Sequence, residues 1–391
     1  MKSPLRLALP FAAIAPVAFA VYAPIPDQEQ GKALSLRLGA SVYHDSNIFG
    51  AATGEISSMV YSLSPEIVFN SSVSDQTFVS AGYIFEYQYM PDRPGDTTLI
   101  NQNLSLRLAH QFSPVTKIDL RDEYVFAQNP QSLLNGVPLN SDQSYKSNEF
   151  DARFDSTIGP KTGYALKYRN LVYSYDDAGL STELDRMEQV AGVEVNFALM
   201  PQTKIAFEYR YQDISYDKNG QFKNKHSNFL LGGADYSPSE RLTMSGRVGV
   251  EDRVRESQPD DTAPYVELSS RYSYSEGSYF AAGYTYTFEE STDPVRYTDS
   301  KVNRFFVNME HKLSALVVAS GSLTYQPAQL QGRAPFSNID ETTTRLGLGL
   351  SWIPTKNWTV SATYDLDHVE SDDPSRRQDR DRYGVSARLV F

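Results

Sequence analysis

The sequence has no cysteine, two tryptophans and five histidines, and only 21% of its 391 residues are charged. Without cysteine the chain can be neither a disulfide-stapled scaffold nor a thiolate zinc site. A formal net charge of −12 argues against a nucleic-acid partner, because phosphate binding requires a clustered positive field. The mean hydropathy of −0.43 excludes a helical membrane protein.

Aromatic residues are abundant, with 26 Tyr and 20 Phe. A disordered chain would not carry so many aromatic side chains. The composition therefore leaves two classes, a large soluble β-protein and an outer-membrane barrel.

The N-terminal segment predicts secretion. Lys2 and Arg6 accompany an apolar stretch that ends at Ala20, and Ala18-Phe19-Ala20 is a small-x-small cleavage site. Val21-Tyr22-Ala23 is a second candidate site. A membrane anchor is the alternative, but the stretch is short for a spanning helix and two prolines interrupt it. We expect residues 1–20 to be a signal peptide, 21–33 a short periplasmic segment and 34–391 a barrel.

From Leu34 onward the apolar residues recur at every second position, which is the period of a β-strand. The first run, with Leu34, Leu36 and Leu38 on one face, extends over about ten residues, the length of a tilted membrane strand. About 18 such runs follow one another to Phe391. The least regular runs lie at 227–236 and 266–274, so a barrel of 16 or 20 strands is the alternative. We expect tyrosine and tryptophan near the strand ends, including Tyr89, Tyr211, Trp352 and Trp358, to form girdles at the membrane interfaces.

The links between runs alternate between short and long, which predicts short periplasmic turns and longer external loops. The short links are 113–114, 159–162, 201–203, 237–240, 275–277 and 354–357, and the long ones are 91–98, 128–144, 176–185, 289–301 and 326–341. A soluble propeller or sandwich is the alternative, but its strands would be shorter and a propeller would show a fixed repeat. The predicted fold class is an all-β, transmembrane, antiparallel β-barrel.

Charged side chains occupy the positions opposite the apolar stripes. Facing lipid, the basic ones would each cost about 2–4 kcal/mol at the midplane, so we expect them to line a polar lumen. The predicted pore-lining residues are Asp119, Arg121, Glu123, Glu149, Asp151, Arg153, Lys167, Arg169, Glu208, Arg210, Arg247, Glu251, Arg253, Glu267, Arg271, Arg304, Glu310 and Arg345. Their mixed signs predict weak ion selectivity and the passage of neutral or polyhydroxylated solutes. The alternative to a role in transport is that each pair of opposite charges stiffens the barrel wall. The 128–144 loop is a candidate for constricting the pore.

Two short motifs resemble known barrels. The C-terminal strand, with Tyr383, Val385, Leu389 and Phe391 on one face, resembles the signal by which the Bam machinery recognises outer-membrane barrels. The segment His44-Asp45-Ser46-Asn47-Ile48-Phe49 resembles a signature in the β-barrel porin family often found with exopolysaccharide and exosortase loci. That family usually has Tyr at the position of His44. The resemblance implies a Gram-negative outer-membrane pore that exports a polysaccharide.

Catalytic signatures are absent: the sequence has no G-x-S-x-G elbow, phosphate-binding loop or H-E-x-x-H motif. His110, His226 and His311 fall on the apolar face near strand ends, where an interfacial role is expected. The remaining alternative is an Asp-His site from His44 and His368 with Asp45, Asp365 and Asp367. We expect no enzyme activity, no cofactor and no metal site.

The sequence thus leaves a transport pore as the leading function, either for exopolysaccharide export with periplasmic partners or for passive diffusion of polar solutes. The alternative from a different functional class is a surface enzyme or adhesin that uses the external loops. The expected surroundings are outer-membrane lipid and lipopolysaccharide.

Overall fold

The computed structural model describes residues 33–128, 144–291 and 293–391. The predicted signal peptide and nearly all of the 128–144 loop lie outside the described residues, so both remain predictions.

Eighteen β-strands make up about three-quarters of the described residues. Their bounds are β1 Leu34–Asp45, β2 Ser58–Ser74, β3 Thr77–Tyr89, β4 Thr98–Ser113, β5 Thr116–Ala127, β6 Tyr145–Thr157, β7 Thr162–Tyr175, β8 Arg186–Met200, β9 Thr203–Tyr216, β10 Lys225–Ser239, β11 Leu242–Arg255, β12 Asp261–Ser275, β13 Ser278–Glu290, β14 Tyr297–Lys312, β15 Val317–Gly332, β16 Ile339–Thr355, β17 Trp358–Ser371 and β18 Gln378–Val390. Two short α-helices, α1 Ala178–Leu184 and α2 Gly220–Lys223, and a 3-10 turn at Pro374–Arg376 lie in the longer links.

Each strand pairs antiparallel with the next, and β1 pairs with β18, so the sheet closes into a barrel. At the seam Leu38 lies opposite Leu389 and Ser41 opposite Ser386. The predicted fold class and strand number are confirmed, including the two weakest strands, β10 and β12. The strands run past the membrane-spanning length that alternation alone indicates, and β2 and β16 each contain 17 residues.

The two faces of the wall differ sharply. On β9 and β10 the outward-facing Phe207 and Leu230 are 67% and 66% exposed, whereas their neighbours Glu208 and Leu231 are each 2% exposed. Leu348 and Leu350 also face outward and are about half exposed. A closed wall that exposes its apolar side chains over most strands is stable only where the surrounding solvent is itself apolar.

No helix among the described residues is long and apolar enough to cross a membrane.

The links alternate as predicted, but two of the long ones are shorter than expected. The sequence predicts links over 289–301 and 326–341, whereas β13 continues to Glu290 and β14 begins at Tyr297, and β15 and β16 likewise extend into the second link. Both hairpins are longer than predicted because polar residues, which the apolar pattern leaves out, continue their ladders.

Candidate functional site

The eighteen predicted pore-lining residues all occupy inward-facing positions of their strands. Glu208 and Arg210, for example, alternate with Phe207 and Tyr209, which are 67% and 48% exposed on the outer face. The inner wall is therefore where the charge of the barrel is concentrated.

A belt of ion pairs crosses the inner wall from β7 to β11. We call Lys167, Glu194, Glu208, Arg210 and Arg247 the lumen belt. Lys167 Nζ lies 2.9 Å from Glu194 and 3.0 Å from Glu208, and Arg210 Nε donates to Glu208 at 2.7 Å. Every belt side chain is at most about one-tenth exposed. Because each carboxylate faces at least one cation, the belt is stable away from bulk water.

Arg247 reaches farthest along the belt. Its guanidinium lies 3.3 Å from Glu194 on β8 and 3.0 Å from Asp235 on β10. Gly233 permits this path, since a Cβ there would lie 2.8 Å from Cδ of Arg247. Because the glycine on β10 has no side chain, Arg247 can cross that strand and link β8, β10 and β11.

On the other side of the belt, Arg210 contacts β12. Its Nη1 donates to the Tyr265 hydroxyl at 3.2 Å, and that hydroxyl donates to Glu267 at 2.8 Å. Tyr265 is fully buried and meets Phe229 edge-on, with ring centroids 5.6 Å apart. The inner wall here is a packed layer of rings and ion pairs.

The other predicted residues sit in separate contacts, which range from partly exposed to fully buried. Arg121 pairs with Glu123 and Arg153 with Asp155 along single strands, and the two arginines are 30% and 38% exposed. The remaining contacts are Asp119 with Arg107, Glu149 with Arg169, Arg304 with Glu289, Arg345 with Asp367, Arg253 with Glu251, and Arg271 over the Tyr279 ring. Asp151 is buried beside this set, and Glu310 faces inward on β14.

The loop end of β13 and β14 folds into the lumen. β11 and β12 stay paired up to Arg253 and Asp261, but the pairing of β12 with β13 stops at Val266 and Tyr286. β13 and β14 remain paired up to Glu290 and Asp299. β14 also stays paired with β15, up to Tyr297 and Gly332, so the wall separates only between β12 and β13, and the free edge of β13 bends inward. We call Thr287–Glu290 and Tyr297–Val302 the inner hairpin.

Contacts with three other strands hold the inner hairpin inside. Glu290 accepts a hydrogen bond from the Tyr216 hydroxyl at 2.7 Å and lies 2.9 Å from Lys225 Nζ. Arg255 Nε donates to Asp299 at 2.8 Å. Glu290 and Asp299 are both largely buried, and the cations around them compensate their charge.

The hairpin faces the inner wall at β7 and β8 across a small cavity. This cavity has a volume of about 120 Å³ and is bounded by Arg169 and Tyr173 of β7, Glu188 of β8, and Phe288 and Glu290 of the hairpin. Residues four or more strands apart along the wall thus approach one another only because the hairpin bends inward.

At the short-turn end the lumen widens. A cavity of about 940 Å³, which we call the vestibule, is lined by hydroxyl groups and by charges of both signs. The charged lining residues are Asp75, Arg107, Lys117, Asp119, Arg153, Asp155, Glu194, Lys204 and Asp235. Glu194 belongs to the lumen belt, so the belt borders the inner end of the vestibule.

A second segment folds inward at the loop end of the seam. We call residues 46–57 the seam loop. The side chain of Asn47, fully buried, donates to Ala51 O at 2.8 Å and to Asp379 O at 3.0 Å. Asp45 accepts from Arg380 Nε at 3.0 Å, and Ile48 packs in an apolar cluster over β2–β4. The Asp-Ser-Asn-Ile-Phe motif therefore joins β1 to β18 and places the seam loop over the lumen.

The structure does not assemble the Asp-His site. His44 and His368 face outward, where His44 stacks on Tyr383 at 5.2 Å and His368 contacts Asp379 and Glu370. Asp45 and the other two candidate carboxylates alternate with these positions and face the lumen, so the wall separates them. Within the described residues, no group of three or more His, Asp or Glu could hold a metal ion.

The other three histidines lie on the outer face beside aromatic rings, as predicted. His110 meets Phe112 edge-on, His226 lies by Tyr211, and the Tyr274 hydroxyl contacts His311.

Sequence reasoning missed several charges of this site. The charges that hold the inner hairpin are Lys225, Glu290, Asp299 and Arg255. Glu290 and Asp299 lie in the predicted 289–301 link, and Lys225 and Arg255 lie beyond the ends of the apolar runs of β10 and β11. Glu194 was detectable, because it alternates with the exposed Val193 and Val195.

No protein-family model matches this chain, and no curated protein matches it in sequence. Several solved structures are similar in backbone. A mutant of the ferric enterobactin receptor PfeA of Pseudomonas aeruginosa has 11% identity and a TM-score of 0.46, over 93% of this chain and 81% of that one. OccAB4 of Acinetobacter baumannii has 8% identity and a TM-score of 0.47, over 93% and 99%. PirA, a siderophore receptor of Pseudomonas aeruginosa, has 13% identity and a TM-score of 0.42, over 91% and 80%. Since all three scores are below 0.5, the fold assignment rests on the strand pairing of this chain.

Proposed function

We propose that this protein is a channel in the outer membrane of a Gram-negative bacterium and passes small polar solutes, saccharides among them. The observation that carries the proposal is the lumen itself: a polar vestibule of about 940 Å³ leads toward a belt of ion pairs and an inward-folded hairpin. In this orientation the short turns and the vestibule face the periplasm, and the inner hairpin and seam loop narrow the external side.

The chemistry of the lining supports polar rather than charged cargo. The three cations of the belt are paired with its two carboxylates and with Asp235 beside it, so neither sign of ion gains a strong binding site. Hydroxyl and charged groups in the vestibule can donate and accept hydrogen bonds to a polyhydroxylated solute.

Export of an exopolysaccharide is the second candidate. It is favoured by the motif at His44–Phe49 and by the placement of the wide mouth on the side from which an exported chain would enter. For a polymer to pass, the inner hairpin and seam loop would have to move aside.

We further propose that the C-terminal strand directs insertion through the Bam machinery. Tyr383, Val385 and Phe391 face outward and are 53%, 58% and 57% exposed, so a partner can reach them before the barrel meets lipid. Leu389 lies on the same face of β18 as these residues.

Planar-bilayer recordings of the purified full chain test the channel. We expect the wild type to give discrete conductance steps, and the Lys225→Met variant to give larger ones, because this lysine holds Glu290 of the inner hairpin. Lys146→Met is the matched control, since Lys146 is 46% exposed and pairs only at the loop end. A folded barrel without conductance, in the wild type and in both variants, would refute the channel.

Liposome swelling separates the two cargoes. Under the first proposal, wild-type vesicles swell in monosaccharides and disaccharides, and swelling declines steeply with oligosaccharide length. Export of a polymer instead predicts closed vesicles in the wild type and passage of long oligosaccharides once the hairpin is released.

A further inference from the structure

Asp122 occupies an unusual position on the outer face of the barrel. It is near the middle of β5 (Thr116–Ala127) and lies opposite Leu106 on β4 and Phe150 on β6. Leu120 and Tyr124 flank it on the same face of β5. A carboxylate is thus surrounded by apolar side chains on a surface that, if the barrel spans a membrane as proposed, meets the hydrocarbon layer.

Other outward-facing carboxylates do not share this position. Asp213 and Asp252 lie three residues from the loop ends of β9 and β11. Asp252 also accepts a hydrogen bond from the Thr262 hydroxyl at 2.7 Å. A charged side chain on the lipid face costs little free energy at the rim of a barrel, and this cost grows toward the midplane of the bilayer.

A row of amides continues from Asp122 across the next strands. Asn148 donates to Asp122 at 3.0 Å, and Asn170 lies directly opposite Gln189. All of these residues face outward, because they alternate with lumen-facing charges such as Glu149 and Arg169. We call Asp122, Asn148, Asn170 and Gln189 the polar patch. Asp122 and Asn170 lie five residues from the loop ends of their strands, whereas Asn148 and Gln189 lie three residues from theirs, and Gln189 is directly opposite Asp213 at the rim.

The patch differs from other polar groups on the outer face in lacking tyrosine partners. Elsewhere a tyrosine hydroxyl of the same hairpin donates to the polar group: Tyr83 to Gln102, Tyr209 to Asn228 and Tyr284 to Asn303. Within the described residues, Asn170 makes no such bond, and Asp122 receives only the amide of Asn148. Lipid chains provide no donor to either group.

We propose that the polar patch is an interface between two copies of this chain in the membrane. Each amide both donates and accepts, so a row of amides is complementary to itself, and amide donors of a second copy can satisfy the remaining lone pairs of Asp122. A second copy supplies these donors at the same depth of the bilayer, which a soluble partner cannot do.

Native mass spectrometry in lipid nanodiscs or mild detergent tests the interface. The wild type should be an oligomer, and Asp122→Leu should weaken association roughly tenfold or more, because it leaves amides of both copies unpaired. Asp252→Leu is the matched control, since it removes an outward carboxylate at the loop end. Resistance of the folded barrel to heating in SDS shows that each variant is folded.

Cross-linking provides a second measurement, and the absence of native cysteine makes single-cysteine variants unambiguous. Ala152→Cys, diagonal to Asp122 on the outer face, should form cross-linked dimers with a short bis-maleimide, whereas Val248→Cys on β11 should not. A wild type that is monomeric in lipid would overturn the interface. If Asp122→Leu also raised the thermal stability of that monomer, the patch would face lipid. Conductance from that monomer would leave the channel proposal intact, so the two can fail separately.

Discussion

Arg253 illustrates how single side chains carry buried charge in the lumen. It is 1% exposed and lies 3.0 Å from Glu251, 3.3 Å from Glu290 and 3.7 Å from Asp299. Its guanidinium also covers the Phe288 ring at 4.9 Å. Removing one member of a buried ion pair typically costs about 3–5 kcal/mol, because the partner charge is left uncompensated.

We therefore expect Arg253→Met to lower the temperature at which the folded barrel loses its compact mobility on SDS gels. Arg153→Met is the control: Arg153 is 38% exposed and pairs with a carboxylate on its own strand, an arrangement worth about 0–1 kcal/mol. Equal losses in the two variants would show that burial around Arg253 does not matter.

Asp373, in the link between β17 and β18, ties that link to the one between β13 and β14. Burial by itself would raise the pKa of Asp373, but hydrogen bonds from Ser375 and the ion pair with Arg296 outweigh it and hold the pKa below its ordinary value. A depressed carboxylate pKa stabilises the folded state above the ordinary value of about 3.9 and ceases to do so as the pH falls through the lower, folded-state value.

The contact between these links should accordingly persist from neutral pH to below about pH 4. Current noise in bilayer recordings, measured while the external side is acidified, should stay constant over this range and rise only below it. Asp373→Asn should show the higher noise at neutral pH; unchanged noise in that variant would mean the contact does not restrain the loops.

At the scale of elements, the loop end differs from the turn end. Turns at one end are short and leave the vestibule open, whereas the seam loop and the inner hairpin occupy the lumen at the other. The seam loop is held by hydrogen bonds and by an apolar cluster, and the inner hairpin is held by ion pairs on one side and by its pairing with β15 on the other. The seam loop and the β12 side of the inner hairpin lie outside the strand ladder, so these parts can move without breaking strand pairing.

Asn47→Ala should release the seam loop. The variant loses the amide bonds to Ala51 O and Asp379 O and leaves those groups buried without a donor, a loss of about 1–3 kcal/mol for each. Protease cleavage between residues 46 and 57 should become faster than in the wild type while the barrel core stays resistant. Asn357→Ala removes an amide-to-backbone bond at the short-turn end and should leave this cleavage rate unchanged.

At the scale of the whole molecule, we expect the net charge of the vestibule lining to decide which ions enter. Its lining balances basic side chains against slightly more carboxylates, so the potential at the mouth depends on few groups. Lysine and arginine there face the lumen and not lipid, and their removal should leave membrane insertion intact.

The double variant Arg153→Gln with Lys204→Gln should shift the reversal potential in a salt gradient toward cation selectivity. Lys356→Gln, in an exposed turn at the same end, should shift it much less, because salt screens a charge outside the mouth. A purely structural role for the vestibule charges predicts lower heat stability in the double variant and no change of selectivity.

Period-two alternation determined much of this protein from sequence alone. It located all eighteen strands, including the sparse β10, and it assigned the faces correctly, because one residue of slip would move an entire apolar stripe to the wrong side. The orientation of all eighteen predicted lumen residues followed from the same rule, although their part in conduction stays a prediction.

Contacts between distant strands could not be obtained in this way. Alternation is a local property, so it shows that Glu290 and Asp299 are polar but not that they bend into the lumen toward Lys225 and Arg255. The Asp-His hypothesis failed for a related reason: near neighbours around a closed barrel can still lie on opposite faces of its wall.

The order of apolar and polar residues along the chain thus determined the strands of the wall, the two faces of the wall and the alternation of short and long links. It could do so because a closed sheet of this kind requires only that neighbouring strands pair. The tertiary structure alone decided where the lumen narrows, because β13 separates from β12 after Tyr286 and the inner hairpin is held by charged and polar groups of β9–β11. It also decided that the Asp-Ser-Asn-Ile-Phe motif secures the seam, since Arg380 and Asp379 come from the other end of the chain and meet Asp45 and Asn47 only when β18 pairs with β1.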